Sequence, residues 1–198
     1  MARKKQSYDN AAELAVVRLL DHIGEKSTRP GLLETPKRVV KALEFMTQGY
    51  FVDPTEVIKI FKDGACDEMV FQGKIPLVSL CEHHMLPFFG VAHIAYIPKN
   101  GIIGLSKFAR VVDVFARRLQ VQERLCTQVA DTLVDCLSPD VGVVIQCRHL
   151  CMEIRGVQKV GSITTTTALR GSFKDIPHVK AEFLDMVRSV GSNAHGCG

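Results

Sequence analysis

Residues 78–98 read VSLCEHHMLPFFGVAHIAYIP, and this stretch decides the fold. Its apolar, aromatic and β-branched residues are typical of buried strands. The run is interrupted by Cys81-Glu82-His83-His84, where two histidines and a cysteine fall within four residues. Such groups are unusual between apolar segments. The tetrapeptide therefore binds a metal, takes part in acid–base chemistry, or only fills space in the core.

Helical patterns precede this region. Both YDNAAELAVVRLLDHIGE and ETPKRVVKALEFMTQGY carry apolar residues at helical spacing. In the second segment we expect Thr35 as the N-cap, Pro36 at the first helical position and Gly49 as the stop. We therefore predict an N-terminal helical part over residues 1–55 and a second domain over residues 56–198.

Further helix and strand patterns follow on the C-terminal side. LSKFARVVDVFARRLQ predicts a helix capped by Ser106, and QERLCTQVADTLVDCLSP predicts a second helix closed by Pro139. VGVVIQCRHLCMEIRG and SITTTTALRG predict two strands, and VKAEFLDMVRS predicts a last helix before a short flexible tail. Lys99-Asn100-Gly101 is a hairpin turn signal.

The order of these elements predicts the fold class. Two strand pairs bracket a helix pair, which favours an α+β fold with an antiparallel four-stranded sheet and the helix pair on one face. The N-terminal helices precede this unit. Such a sheet has open edges, so we expect copies of the chain to assemble through them.

Composition excludes several classes of protein. The net charge is +4 and the chain has no Trp, which suits an anionic small molecule and not a nucleic-acid partner. No run approaches the roughly 18 apolar residues of a membrane span, and the first residues do not resemble a secretory signal. Seven cysteines without regular spacing argue against a disulfide framework. We expect a cytoplasmic protein with reduced thiols and no membrane partner.

Cys81 and His84 have the C-x-x-H spacing that a turn can bring onto one ion. Zinc takes thiolate and imidazole ligands, four when structural, and three plus a water when catalytic. A third ligand is offered by Arg148-His149-Leu150-Cys151, and the absence of a complete four-ligand pattern such as two C-x-x-C pairs favours the open, three-ligand site. The alternative is that these cysteines are ordinary core residues, because buried cysteine is common.

The segment that supplies Cys151 has its own pattern. Side chains alternate in a strand, so a strand continuing through this segment would place His149, Cys151, Glu153 and Arg155 on one face. The apolar end of that face would belong to the core. Its polar end would open on a site.

Five motifs together closely resemble GTP cyclohydrolase I, a zinc enzyme. They are CEHH at 81–84, GLSK at 104–107, QVQERL at 120–125, RHLC with RG at 148–156, and TTTT at 164–167. The resemblance runs in order from Glu34 to Arg188 without a departure at the motif positions. It implies a T-fold subunit that forms a ring, with two pentameric rings stacked in a homodecamer and active sites between subunits.

The resemblance also implies the reaction and its centre. GTP would be opened at C8 and rearranged to 7,8-dihydroneopterin triphosphate with release of formate, the first step towards folate or tetrahydrobiopterin. Zn²⁺ would be bound by Cys81, His84 and Cys151. His149 would protonate N7, and His83 would assist later proton transfers. Either histidine could instead be a satisfied group outside the chemistry.

The same likeness implies the contacts to the nucleotide. Glu123 would accept hydrogen bonds from guanine N1 and the exocyclic amine, with Gln122 as a further base contact. The remaining substrate-binding residues, mainly phosphate contacts, would be Arg38, Lys41, Leu105, Ser106, Lys107, Arg110 and Arg155. Taken singly, each basic residue could be a solvated surface group, and Glu123 could be an acidic residue favoured by a helix start.

Two other functions are compatible with part of this pattern. A related T-fold nitrile reductase would use a cysteine nucleophile and a nicotinamide cofactor, and would not need the Cys81, His84 and Cys151 trio. A zinc-stabilised scaffold without activity would bind metal and leave GTP unchanged. His83 and His149 argue against the scaffold, because it has no use for them.

Overall fold

The computed structural model describes residues 9–62, 66–99 and 101–192. The helices are α1 Asp9–His22, α2 Thr35–Met46, α3 Leu105–Ala116, α4 Gln122–Cys136, α5 Leu150–Glu153, α6 Ser172–Asp175 and α7 Pro177–Ser192. The strands are β1 Ile60–Phe61, β2 Val70–Cys81, β3 Pro87–Tyr96, β4 Ile102–Ile103, β5 Leu119–Gln120, β6 Val141–His149 and β7 Ile163–Arg170. Short 3₁₀ turns lie at Pro30–Leu32 and Gln48–Phe51. The predicted C-terminal tail falls outside the described residues from 193 onward.

The main sheet has the strand order β5-β2-β3-β6-β7. The pairs β2/β3, β3/β6 and β6/β7 are antiparallel, which confirms the predicted four-stranded antiparallel sheet and the α+β class. A fifth strand was not predicted, because β5 contributes only two residues, parallel to the end of β2. This small addition brings the start of α4 beside Cys81.

Both faces of the sheet carry helices. On one face α3 and α4 pack over a core that includes Phe88, Val143 and Ile145. On the other face α6 and α7 pack over a second cluster that includes Val144 and Phe183. The predicted helix pair on one face is therefore confirmed, and α7 adds a cover on the opposite face. The near-continuous apolar run of β6 agrees with burial from both sides.

The two predicted helix caps are wrong by one or two residues. Helix α2 begins at Thr35 itself, with Glu34 as the N-cap, and α3 begins at Leu105 after Gly104. A proline is tolerated throughout the first helical turn, whose N–H groups lack partners, so Pro36 does not mark the first position. Gly104 already has the extended backbone that an N-cap needs.

The predicted hairpin at Lys99–Gly101 does not join paired strands. Strand β4 pairs with β1, Ile60 opposite Ile103, and not with β3. The physical reason is that β3 already has β2 and β6 as neighbours, so it has no edge to offer. Asn100 at the middle of this turn lies outside the described residues.

The N-terminal helices α1 and α2 pack mainly against each other. Helix α2 buries no residue, and apolar side chains such as Leu14, Ile23 and Phe45 are exposed on this pair. The division into parts at residues 55 and 56 stays a prediction. Among the described residues, none of the helices is long and apolar enough for a bilayer span.

Candidate active site

The CEHH segment forms a tight turn at the end of β2. The Cys81 N–H donates to Leu86 O at 2.9 Å, and the Met85 N–H donates back to Cys81 O at 2.8 Å. Met85 has a positive φ of 54°, which lets the chain reverse within a few residues. As predicted, the turn brings Cys81 and His84 together, with Cys81 Sγ 3.8 Å from His84 Nδ1. It also places Cys81 Sγ 3.7 Å from His83 Nδ1.

Cys151 reaches the same place from a helical turn and not from a strand. Strand β6 ends at His149, so the prediction that Cys151, Glu153 and Arg155 continue its face is wrong. The Arg148 guanidinium donates to the Glu153 carboxylate at 2.8 and 2.6 Å, which holds residues 150–153 in a turn. Glu153 is consequently buried beside Arg148.

The described residues thus bring together the predicted metal-binding trio. One ligand atom from each of Cys81, His84 and Cys151 lies within 4.8 Å of the others. Burial raises the pKa of the Cys151 thiol, and the neighbouring Cys81 sulfur raises it further. A bound cation would offset this penalty on the Cys151 thiolate. The donor set fits a three-ligand site for a metal that accepts sulfur and nitrogen.

His149 lies at the end of β6 with its ring held on two sides. Its ring stacks on Phe88, with centroids 4.7 Å apart and planes inclined by 9°. Its Nε2 lies 2.8 Å from Gln122 Oε1. Burial lowers the pKa of His149, and the charge of Glu123 opposes this only in part. The ring is therefore held neutral more readily than a solvated histidine.

Gln122, the first residue of α4, is 1% exposed. Its Nε2 donates to Ile145 O at 2.9 Å, to Thr164 O at 3.0 Å and to Thr166 Oγ1 at 3.2 Å. The side-chain amide is thus bonded within the chain. A base contact from Gln122 stays a prediction.

An ion pair that sequence reasoning missed joins the CEHH turn to α4. Arg124 donates two hydrogen bonds to Glu82, at 2.6 and 2.9 Å, and lowers the pKa of that carboxyl. The Glu82 N–H also donates to Gln120 O. Glu82 lies in the CEHH motif and Arg124 in the QVQERL motif. Their opposite charges in two of the motifs were the only sequence signal for this ion pair. The pair fixes the metal-binding turn next to Glu123.

The predicted phosphate-binding residues are not all brought to one place. Arg155 contacts His84 through Nη1 and Nε2 and so belongs to the cluster. Arg38 and Lys41 are exposed on α2, and Lys107 and Arg110 lie in the first turns of α3. Within the described part of the chain, these four side chains make no hydrogen bond or ion pair to the metal-binding trio. Their role stays a prediction, as do those of exposed Leu105 and Ser106.

Comparison with known proteins finds one matching family model and curated relatives that are about half identical to this chain. A family model described as GTP cyclohydrolase I matches residues 12–188. The chain is 53% identical over 177 residues to GTP cyclohydrolase 1 of Chlorobium phaeovibrioides, covering 88% of this chain and 79% of that protein. It is 48% identical over 180 residues to GTP cyclohydrolase 1 of Wolinella succinogenes, covering 90% of this chain and 96% of that protein.

Proposed function

The chain belongs to the GTP cyclohydrolase I family of hydrolases, and we propose that it opens GTP at C8 and rearranges it to 7,8-dihydroneopterin triphosphate with release of formate. This would be the first step of pterin biosynthesis, towards folate or tetrahydrobiopterin. The observation that carries the proposal is the Cys81, His84 and Cys151 cluster beside His149, inside the matched residues. We propose the cytoplasm as its location, where thiols stay reduced.

The proposed metal is Zn²⁺, held by Cys81, His84 and Cys151. When bound, zinc with three protein ligands supplies an activated water at neutral pH, as attack on C8 of the purine requires. Of the three, Cys81 is buried, Cys151 is half-buried and His84 is exposed, so the site is open to solvent on the histidine side. Arg155 beside His84 adds positive charge at the same place.

The chain's own residues would move protons and bind the base. His149 would donate a proton to N7 as C8 is attacked. Burial, which lowers the pKa of His149, makes its protonated form the stronger acid. His83, 3.7 Å from the Cys81 sulfur, would assist later proton transfers around the opened ring. Glu123 would accept from guanine N1 and the exocyclic amine, a donor pair that adenine does not present.

The proposed phosphate contacts come from α2, from the start of α3 and from the segment after α5. Helix α3 begins after Gly104 without a side-chain cap; the Lys107 N–H donates to Gly104 O, which leaves the N–H groups of Leu105 and Ser106 as the candidates for an anion. The contributing residues are Arg38, Lys41, Leu105, Ser106, Lys107, Arg110 and Arg155. Because these positions are spread over α2, α3 and the segment after α5, binding of one triphosphate by all of them would require residues from more than one copy.

We propose a T-fold assembly in which copies pair through sheet edges into a ring, and two pentameric rings form a homodecamer. Strand β7 is the last strand of the sheet, and β2 is paired with β5 only at Leu80 and Cys81. Apolar residues lie exposed at both edges, Val78 at 58% and Ile163 at 64%. Unpaired edges of this kind are stabilised by pairing with another copy.

The experiment that tests the function is GTP turnover by zinc-loaded protein, followed by the ultraviolet absorbance of the pterin and by formate release. We expect activity that is lost after chelation and restored by zinc, with ATP unreacted. Formation of one formate for each pterin distinguishes this reaction from phosphate hydrolysis. A zinc-loaded protein that leaves GTP unchanged would contradict the proposal and would favour the scaffold.

A further inference from the structure

The buried amide of Gln122 has a fixed orientation. Two of the groups near its nitrogen, Ile145 O and Thr164 O, are backbone carbonyl oxygens at 2.9 and 3.0 Å. Carbonyl oxygens accept hydrogen bonds and never donate them, so the NH₂ of the amide has to face them. An amide turned by 180° would place its oxygen against both carbonyls. The Oε1 atom therefore faces His149.

The orientation of this amide determines where His149 carries hydrogen. Gln122 Oε1 is an acceptor only, so His149 Nε2, at 2.8 Å, has to be the donor. A neutral imidazole with hydrogen on Nε2 has its lone pair on Nδ1. Stacking on Phe88 restrains the ring plane and keeps this pairing in place.

We propose that Gln122 is a positioning residue that fixes His149 as the Nε2–H tautomer, so that protons pass to and from the substrate at Nδ1. The catalytic meaning of this assignment rests on the proposed function. In the proposed step, the imidazolium gives its Nδ1 proton to N7 of the purine and becomes neutral, while the Nε2–H bond to Gln122 is unchanged. Nδ1 regains its proton from solvent or from a later intermediate.

The amide also links elements, so a structural role has to be separated from a positioning role. Gln122 starts α4, while Ile145 and Thr164 lie on β6 and β7. Loss of these hydrogen bonds would destabilise the start of α4 irrespective of the tautomer of His149. Only the tautomer of His149 and a selective loss of kcat report on positioning.

The first test is solid-state NMR of the zinc-loaded protein labelled with ¹⁵N-histidine, at about pH 8 where an ordinary histidine is neutral. The His149 signals are assigned by their loss in His149→Ala. We expect a protonated Nε2 and an unprotonated Nδ1 in the parent protein, and a mixture of tautomers in Gln122→Leu. Hydrogen on Nδ1 in the parent, or an unchanged single tautomer in Gln122→Leu, would overturn the proposal.

The second test separates kcat from KM. We expect Gln122→Leu to lower kcat by about 10²-fold, the usual contribution of a positioned proton donor, with KM for GTP changed only slightly. Gln128→Leu removes an amide from the same helix away from His149 and serves as the matched control.

The outcomes distinguish this proposal from the proposed function. A raised KM with normal kcat in Gln122→Leu would mean that Gln122 binds the base, and would overturn the positioning role. If no variant and no parent protein converts GTP, the proposed function fails while the tautomer result still decides the assignment of His149. Thermal unfolding of each variant identifies those that do not fold.

Discussion

Single residues determine whether this site can bind a metal at all. Cys151 is the member of the trio that comes from a separate element, and the C-x-x-H spacing does not include its sulfur. The other two members come from one turn. This part of the site was predictable from the sequence, because Cys81 and His84 are close enough along the chain for one turn to bring them together.

Replacing Cys151 by serine is expected to abolish stoichiometric zinc binding. A serine hydroxyl stays protonated near neutral pH and is a poor zinc ligand, so only two ligands remain. Zinc content after gel filtration, measured by plasma mass spectrometry, checks this outcome. Cys136→Ser, at the end of α4 and outside the trio, is the control and should retain its zinc. Full zinc content in Cys151→Ser would remove Cys151 from the ligand set.

The role of Gln122 could not be predicted at the residue scale. Its partners Ile145, Thr164 and His149 lie 23, 42 and 27 positions away along the chain. No local pattern signals a hydrogen bond over such distances. Only the packing of α4 against β6 and β7 brings these groups together.

At the scale of elements, the α5 turn is held by one ion pair. The hydrogen bonds from Arg148 lower the pKa of Glu153, more than burial raises it. The prediction that the strand continues past His149 was wrong at this point. The alternation of side chains along a strand carries no information about an ion pair between residues 148 and 153. The local sequence alone does not reveal that this pair closes a turn.

Glu153→Gln is expected to weaken zinc affinity by about tenfold, since outer residues that orient ligands typically contribute this much. The neutral amide cannot accept both Arg148 hydrogen bonds, so the turn that carries Cys151 becomes more mobile. Competition with a chromogenic chelator measures the affinity. Glu182→Gln on α7 is the matched control, and equal affinities in the two variants would contradict a role for the turn.

A second prediction at this scale concerns Asp140, which joins the start of β6 to α6. Its carboxylate accepts from Ser172 N at 2.7 Å and lies 2.8 Å from Lys99 Nζ. Burial alone would raise the pKa of Asp140, but these partners outweigh it and leave the pKa lowered. The ionised carboxylate therefore stabilises the fold above its ordinary pKa, and this stability is lost as pH falls through the lowered value.

Asp140→Asn is expected to lower the free energy of unfolding by about 2 kcal/mol at neutral pH, the usual magnitude for hydrogen bonds to a charged group. The difference from the parent protein should shrink as the pH falls below the ordinary pKa of aspartate. Urea unfolding at a series of pH values checks both statements. A difference that grows towards acid pH would contradict the assigned sign.

At the scale of the whole molecule, the antiparallel sheet with a helix pair on one face was predicted, and the helical cover on the opposite face was not. Apolar runs and turn signals predicted four antiparallel strands. The cover on the second face depends on Phe173 and Phe183, whose ring centroids lie 5.4 Å apart. Both rings pack in the cluster between the sheet and helices α6 and α7. A helical pattern does not indicate which face of a sheet the helix will cover.

Ile163→Lys is expected to dissociate the proposed ring, because a lysine on an exposed edge strand opposes pairing with another copy. Native mass spectrometry at fixed protein concentration reports the change in stoichiometry. Val160→Lys replaces a more exposed residue outside the strands and should leave the assembly intact. A decamer that survives Ile163→Lys would mean that the β7 edge is not an interface.

The open edges of the sheet belong to different strands, β7 and the part of β2 that β5 leaves unpaired. Contacts through them would be head-to-tail, and a head-to-tail series closes only when every copy contributes both ends. A copy defective at the β7 edge would still attach through β2 and would then act as a chain terminator. Small amounts of Ile163→Lys mixed with parent protein should therefore disable more active sites than their own number, a dominant-negative effect set by gene dosage.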